Sequence, residues 1–368
     1  MNVALLDIGS GSVGLSFVEI RNDDVPVIKF LAREEFNLRE FLDVGRIAHL
    51  TFLAIEKLKN KMDDEMVDGE FSEVHCFLSS HLVMSQASTA GSIFDEPRII
   101  TEEIIHRLVR DGLNYSLLAP NMEKIEEKIM QVRLNGYETA LPLGHFAREI
   151  EVTSFVSLAE KAFLDSLRLL LQDIFHGKLI KFHSFVASSY GVVREMFDMT
   201  NNEFLLLDVG SEITEVGIGR RGSLEKIISF PHGKSSLIRN LATAPGGIFP
   251  YISSEINTWS RGHSHEESGR GGAIMRAGNE WKNSFRSEVL SEKQILPSQV
   301  FVISDEDVGS IYSNLIQDAC ADDTFASGSK IRIINAGDFR DFTRNKSGFY
   351  DDSFLMSEAV FINKIFKQ

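Results

Sequence analysis

Cysteine is scarce. Cys76 and Cys320 are the only two, far apart and without metal-ligand spacing. They exclude a disulfide framework and fit a reducing compartment. Basic residues are outnumbered, 38 Lys and Arg against 53 Asp and Glu, for a formal net charge of −15. That balance disfavours nucleic-acid backbones and anionic lipid as bulk partners. No apolar run reaches the roughly 18 residues that span a bilayer. The opening "MNVALLDIGS" has no basic stretch, and Asp7 breaks its apolar run, so no signal peptide is read there. These absences lead us to expect a cytoplasmic protein.

At 368 residues the chain exceeds one compact core, so two domains, or one with an insert, are expected. The N-terminus reads as a three-strand meander: "NVALLDIG", "SVGLSFVEI" and "VPVIKFLAREEF". A helix follows over "REFLDVGRIAHLTFLAIEKLKNKM", then the strand "EVHCFLSSHLVMSQAST". The style changes over Val83 to His176. There a helix starts in "IITEEIIHRLVRDG", Asn135-Gly136 signals a hairpin, and "AEKAFLDSLRLLLQDIF" is strongly amphipathic. That block reads as a small α/β module set into a larger domain. Strand-then-helix returns in "IKFHSFVASSYGVVREMF", and "NNEFLLLDVGSEITEVGIGRRGSLEKIISF" begins a second meander. "QVFVIS" and "SKIRIINA" are late strands, and "DDSFLMSEAVFINKIFKQ" is a terminal helix.

The informative feature is a repeat. "ALLDIGSGSVGLSFVE" and "LLLDVGSEITEVGIGR" each run apolar, Asp, apolar, Gly, Ser, then strand, and each opens a meander. Glycine lets backbone N–H groups approach a phosphate, and consecutive N–H groups of a tight turn form an anion nest. Serine hydroxyls add donors, and an Asp at a strand end can hold hydrated Mg²⁺. Two such turns across a cleft would clamp a polyphosphate.

This pair of loops resembles the phosphate loops of the actin-like ATPase superfamily. Within it the chain most resembles the bacterial division protein FtsA, with the pilus protein PilM next. The block at 83–176 falls where FtsA carries its strand-helix-strand-strand subdomain. "VRLNGYETALPLGHFAREIEV" resembles that subdomain's strand pair, and "KFHSFVASSYGVV" the returning strand and helix. The resemblance implies a bilobed α/β fold of the actin-like, ribonuclease H-like kind. Lobe one would be 1–82 with 177–200, the insert 83–176, and lobe two 201–368. The terminal helix 353–368 reads as core returning to lobe one, with a membrane anchor as the alternative.

By the same resemblance the chain would be a cytoskeletal adaptor at the inner face of the cell membrane, binding ATP with at most weak hydrolysis. Asp7, Gly9, Ser10, Gly11, Ser12, Asp208, Gly210, Ser211 and Thr214 would hold the nucleotide, with Asp7 and Asp208 organising Mg²⁺. No catalytic base is named. The partner would be a division-ring tubulin homologue or, for a PilM-like platform, a peptide of a pilus membrane protein. Self-association into filaments is also implied, and no nucleic acid. A nucleotide-free scaffold is the further alternative.

Departures from the family pattern bear on the nucleotide. Gly14 stands where actin has a phosphate-contacting lysine. Glu212 interrupts the second loop with a carboxylate that repels phosphate unless it turns away. Ser304-Asp305-Glu306-Asp307 replaces the Gly-Gly expected at adenosine, which also argues against a small-molecule kinase, and "FLMSEAVF" lacks the last glycine. "PHGKSSL" is no P-loop, because Ile228 occupies the position that needs glycine. His263, His265 and Glu266 read as a solvated loop, and His183 as a core histidine.

Overall fold

Strand β1 (Asn2–Ile8) is apolar at nearly every position because both of its faces are covered. It lies in the middle of a mixed sheet. The computed structural model describes residues 1–21, 24–36, 44–64, 71–112, 120–200, 202–242, 256, 274, 276–291, 296–320 and 329–367. His263, His265 and Glu266 lie outside these.

From edge to edge, the first sheet runs β15 (Arg344–Asn345), β3 (Val27–Glu35), β2 (Ser12–Glu19), β1, β4 (Glu73–Leu78) and β9 (Leu179–Ser184). The second runs β12 (Ser223–Pro231), β11 (Ile213–Arg220), β10 (Phe204–Val209), β13 (Gln299–Ser304) and β14 (Lys330–Ile334). The order β3-β2-β1-β4-β9 is matched strand for strand by β12-β11-β10-β13-β14. In each, an antiparallel meander is continued by two parallel strands. The sequence repeat is therefore a repeat of topology, and the fold is the bilobed actin-like one.

Between the two sheets run α4 (Phe185–Met196) and α8 (Ser353–Ile365). Val3 and Leu5 from one sheet, Leu206 and Phe301 from the other, and Val193, Leu355, Met356 and Ile362 from the helices form one apolar cluster. The terminal helix is thus a core element. No helix among the described residues is long and apolar enough to cross a membrane. Helix α1 (Val44–Asp64) covers the outer face of the first sheet together with α3 (Lys161–Ile174). From sequence α3 was expected inside the inserted block. Instead Leu164, Leu167 and Leu171, each 0% exposed, pack in the core of lobe one. Helices α5 (Lys234–Ala242), α6 (Asn279–Phe285) and α7 (Gly309–Ala319) cover the outer face of the second sheet.

The block after Val83 carries a third sheet, ordered β5 (Val83–Ile99), β8 (Phe146–Glu160), β6 (Met122–Leu134) and β7 (Tyr137–Glu138). Helix α2 (Glu102–Gly112) lies on it through Ile105, Leu108 and Val109. Chain order is strand, helix, strands, as the sequence led us to expect. Asn135 and Gly136 both have positive φ, 50° and 83°, the backbone of a tight hairpin turn. His183 is buried, stacked on Phe77, with Nε2 3.0 Å from His75 Nδ1.

If α8 is core, Leu355→Ala should cost about 2–5 kcal/mol of stability, measured by urea unfolding. A helix lying on a membrane would show no such loss.

Candidate functional site: the cleft between the two repeated turns

The repeat extends to individual hydrogen bonds. The Gly9 N–H donates to the Ser12 carbonyl at 3.0 Å, and the Gly210 N–H to the Ile213 carbonyl at 3.0 Å. Each turn follows a strand that delivers a buried Asp, Asp7 from β1 and Asp208 from β10, both 5% exposed. The turns meet across the cleft. Ser10 Oγ accepts from the Glu212 N–H at 2.9 Å. A Cβ on Gly11 would lie 2.3 Å from the Ser211 Cβ, so only glycine admits the opposite loop this closely.

A cavity of about 290 Å³ lies beside the turns, lined by Asp7, Gly9, Ser10, Gly11, Ser12, Asp208, Gly210 and Ser211 among others. A neighbouring cleft of about 480 Å³ shares Arg33, Glu35, Lys234, Asp305, Asp307 and Phe354 with it and reaches Tyr350–Ser353. The structure thus brings together every loop residue singled out from sequence except Thr214. Strand alternation aims Ile213 and Glu215 at the cavity and Thr214 away from it. Thr214 is fully buried. Its Oγ1 donates to the His232 carbonyl and accepts from Trp281 Nε1, both at 2.8 Å. The expectation of a phosphate contact at Thr214 is corrected accordingly.

Charge decides what the cavity can hold. Among the described residues, six carboxylates line it: Asp7, Glu35, Asp208, Glu215, Asp305 and Asp307. Two described cations stand among them, and the chain already pairs both. Arg33 Nη2 is 2.8 Å from Asp7 Oδ2, and its Nε 2.7 Å from Asp352 Oδ2. Its Nη1 donates to Ser12 Oγ at 2.8 Å. Lys234 Nζ is 2.9 Å from both Asp305 Oδ2 and Asp307 Oδ2. The two acids that replace the family's glycines thus embrace a lysine. Glu212 turns away from the cavity to Arg239, whose Nη1 donates to its Oε1 at 2.9 Å.

Burial raises the Asp7 carboxyl above its usual range, against the pull of Arg33. Burial, then Glu215, Asp7 and Asp305, hold Asp208 well above its own. Burial likewise pushes Glu215 up to about 8, although it accepts from the Ser80 N–H at 3.1 Å. On α8, Glu358 is 1% exposed, and burial and then Asp7 raise its carboxyl well above the usual range.

These residues do not fit Mg²⁺–polyphosphate. Mg²⁺ on one or two protein carboxylates takes the rest of its oxygen shell from water and phosphate. Here Asp7 faces a guanidinium, and burial holds the Asp208 carboxyl well above its usual range. Among the described residues, no group of three or more His, Cys, Asp or Glu is placed to hold a metal ion.

Arg33 was not singled out from sequence, although Gly14 pointed toward it. The two are partners across β2 and β3, and a Cβ on Gly14 would lie 2.8 Å from Arg33 Nη2. The cation missing at Gly14 therefore arrives from the next strand. The roles of Lys234, Asp352 and Glu358 carry no local signal.

The fold and this cleft define a protein of the actin-like ATPase fold. No family model matches the sequence, and no curated protein does. Among solved structures, the chain resembles one in the PilM–PilN type IV pilus biogenesis complex, with a TM-score of 0.62 and 14% identity over 97% of this chain and 96% of that one. The ethanolamine utilization protein EutJ of Carboxydothermus hydrogenoformans gives 0.49 and 11% over 98% and 90%. A Bacteroides thetaiotaomicron protein of unknown function with an actin-like ATPase fold gives 0.43 and 8% over 97% and 95%. The fold assignment rests on the first of these.

Glu215 sets a pH dependence. Its proton leaves at about 8 in the folded protein and near 4.5 in the unfolded chain. Between those values the native state binds more protons, so stability falls as pH rises. Glu215→Gln keeps an acceptor for the Ser80 N–H and should flatten that fall. Urea midpoints across the window check this, and an unchanged slope means that Glu215 is ionised when folded.

Proposed function

We propose that this chain is a partner-binding scaffold on the actin-like fold, whose cleft does not turn over nucleotide. The observation that carries this reading is the pairing of both cations described in the cleft, Arg33 and Lys234, with the chain's own carboxylates. A polyphosphate would have to displace those acids from mostly buried pairs, which leaves charges uncompensated. Asp208 and Glu215 would add repulsion as they ionised.

The likeness to PilM over nearly the whole chain supports a platform role, in which the lobes present a surface to a peptide of a membrane protein. An FtsA-like division adaptor belongs to the same class. The buried terminal helix gives that reading no support, because Leu355 and Ile362 are 0% exposed in the core. Gene neighbourhood, pilin genes or division genes, separates the two.

Titration calorimetry of Mg²⁺–ATP into the full chain should give no saturable heat at millimolar nucleotide. The double variant Asp305→Asn, Asp307→Asn frees Lys234 and should gain measurable pyrophosphate binding. Saturable ATP binding to wild type, abolished by Asp208→Ala, would sink the scaffold reading.

A further inference from the structure

Asp208, next to last in β10, has its Oδ1 buried and without a hydrogen-bond partner, and it lines the cavity between the lobes. Buried polar atoms are nearly always paired, so an orphaned carboxylate oxygen at a cavity wall calls for a donor. The groups that face it come from three elements: Glu215 on β11, Asp7 on β1 and Asp305 after β13. The cations in the same walls, Arg33 and Lys234, point at other acids. Asp307 Oδ1 is a second buried acceptor without a partner.

The walls already display what they accept. Lys234 places one ammonium 2.9 Å from two carboxylates. We propose that the cavity is a receptor site for a primary ammonium group, with the Asp208 carboxylate as its acceptor. The group would come from a polyamine or from a lysine of a partner segment. This rests on the reading that the cleft is not a polyphosphate site. An ammonium brings three donors in a compact volume, suited to an orphaned oxygen among acids. A bare divalent ion would need more oxygen ligands than the described residues bring together.

Spermidine is titrated into the full chain by calorimetry at low salt. We expect one saturable site. Asp208→Asn should weaken the site on the order of 30-fold. Asp341→Asn, an exposed carboxylate outside the cavity, should leave it unchanged. Saturation is read on wild type and needs no variant to fold.

An acetylated Ala-Lys-Ala amide, run against its acetyl-lysine counterpart, separates the two sources. Tighter binding of the lysine peptide than of spermidine assigns the site to a protein segment, and the reverse to a polyamine. Equal weakening by Asp341→Asn reduces the effect to diffuse attraction toward a chain of net charge −15 and overturns the proposal. No saturable site, or no effect of Asp208→Asn, also overturns it. Saturable Mg²⁺–ATP binding beside an Asp208-dependent spermidine site overturns the scaffold reading alone. Absence of both overturns the ammonium site alone.

Discussion

A single guanidinium ties the first lobe to the end of the chain. Arg33 reaches from β3 to Asp7 on β1, to Ser12 at the first turn and to Asp352. Asp352 in turn caps α8, accepting from the Phe354 and Leu355 N–H groups at 3.1 Å each. The cap fixes where α8 begins, and α8 fills the space between the sheets beside α4. One buried ion cluster thus positions the first turn and the central helix together. Removing either partner leaves a charge stranded in a poorly solvated place.

The second lobe repeats the plan with other chemistry. Its turn is held by α5, whose first N–H groups, at Lys234 and Ser235, donate to the Gly210 and Ser211 carbonyls at 3.0 and 2.8 Å. A helix start often offers free donors to an anion. Here two of them face the loop, and the lysine beside them is held by Asp305 and Asp307. Both halves keep the geometry of a phosphate-gripping fold while their charges are satisfied internally.

The repeat, the Asn135-Gly136 hairpin and the apolar strands were legible in the sequence because each is local or periodic. The cavity-lining turn residues followed from the same repeat. The ion pairs were not, because their partners are distant in sequence. Arg33 and Asp352 are 319 positions apart, and Lys234 and Asp305 are 71. Reading Arg33 into the site needs the register of β2 on β3, which shifts at Phe17 and Val18. Thr214 was misread for a related reason. Its motif position suggested a ligand, but alternation in β11 turns it into the core against Trp281. Helix α3 has the amphipathic pattern expected of it, and a pattern does not say which sheet it covers.

The contact between the turns has a consequence for traffic. Ser10 grips the Glu212 backbone, and Gly11 seats the Ser211 side chain, so the lobes are clasped at the bottom of the cleft. Splaying the turns would undo both contacts at once. The neighbouring cleft, bordered by Tyr350 to Phe354, adjoins the cavity at the paired Arg33 and Lys234. A ligand that comes along it meets charge before it meets the turns.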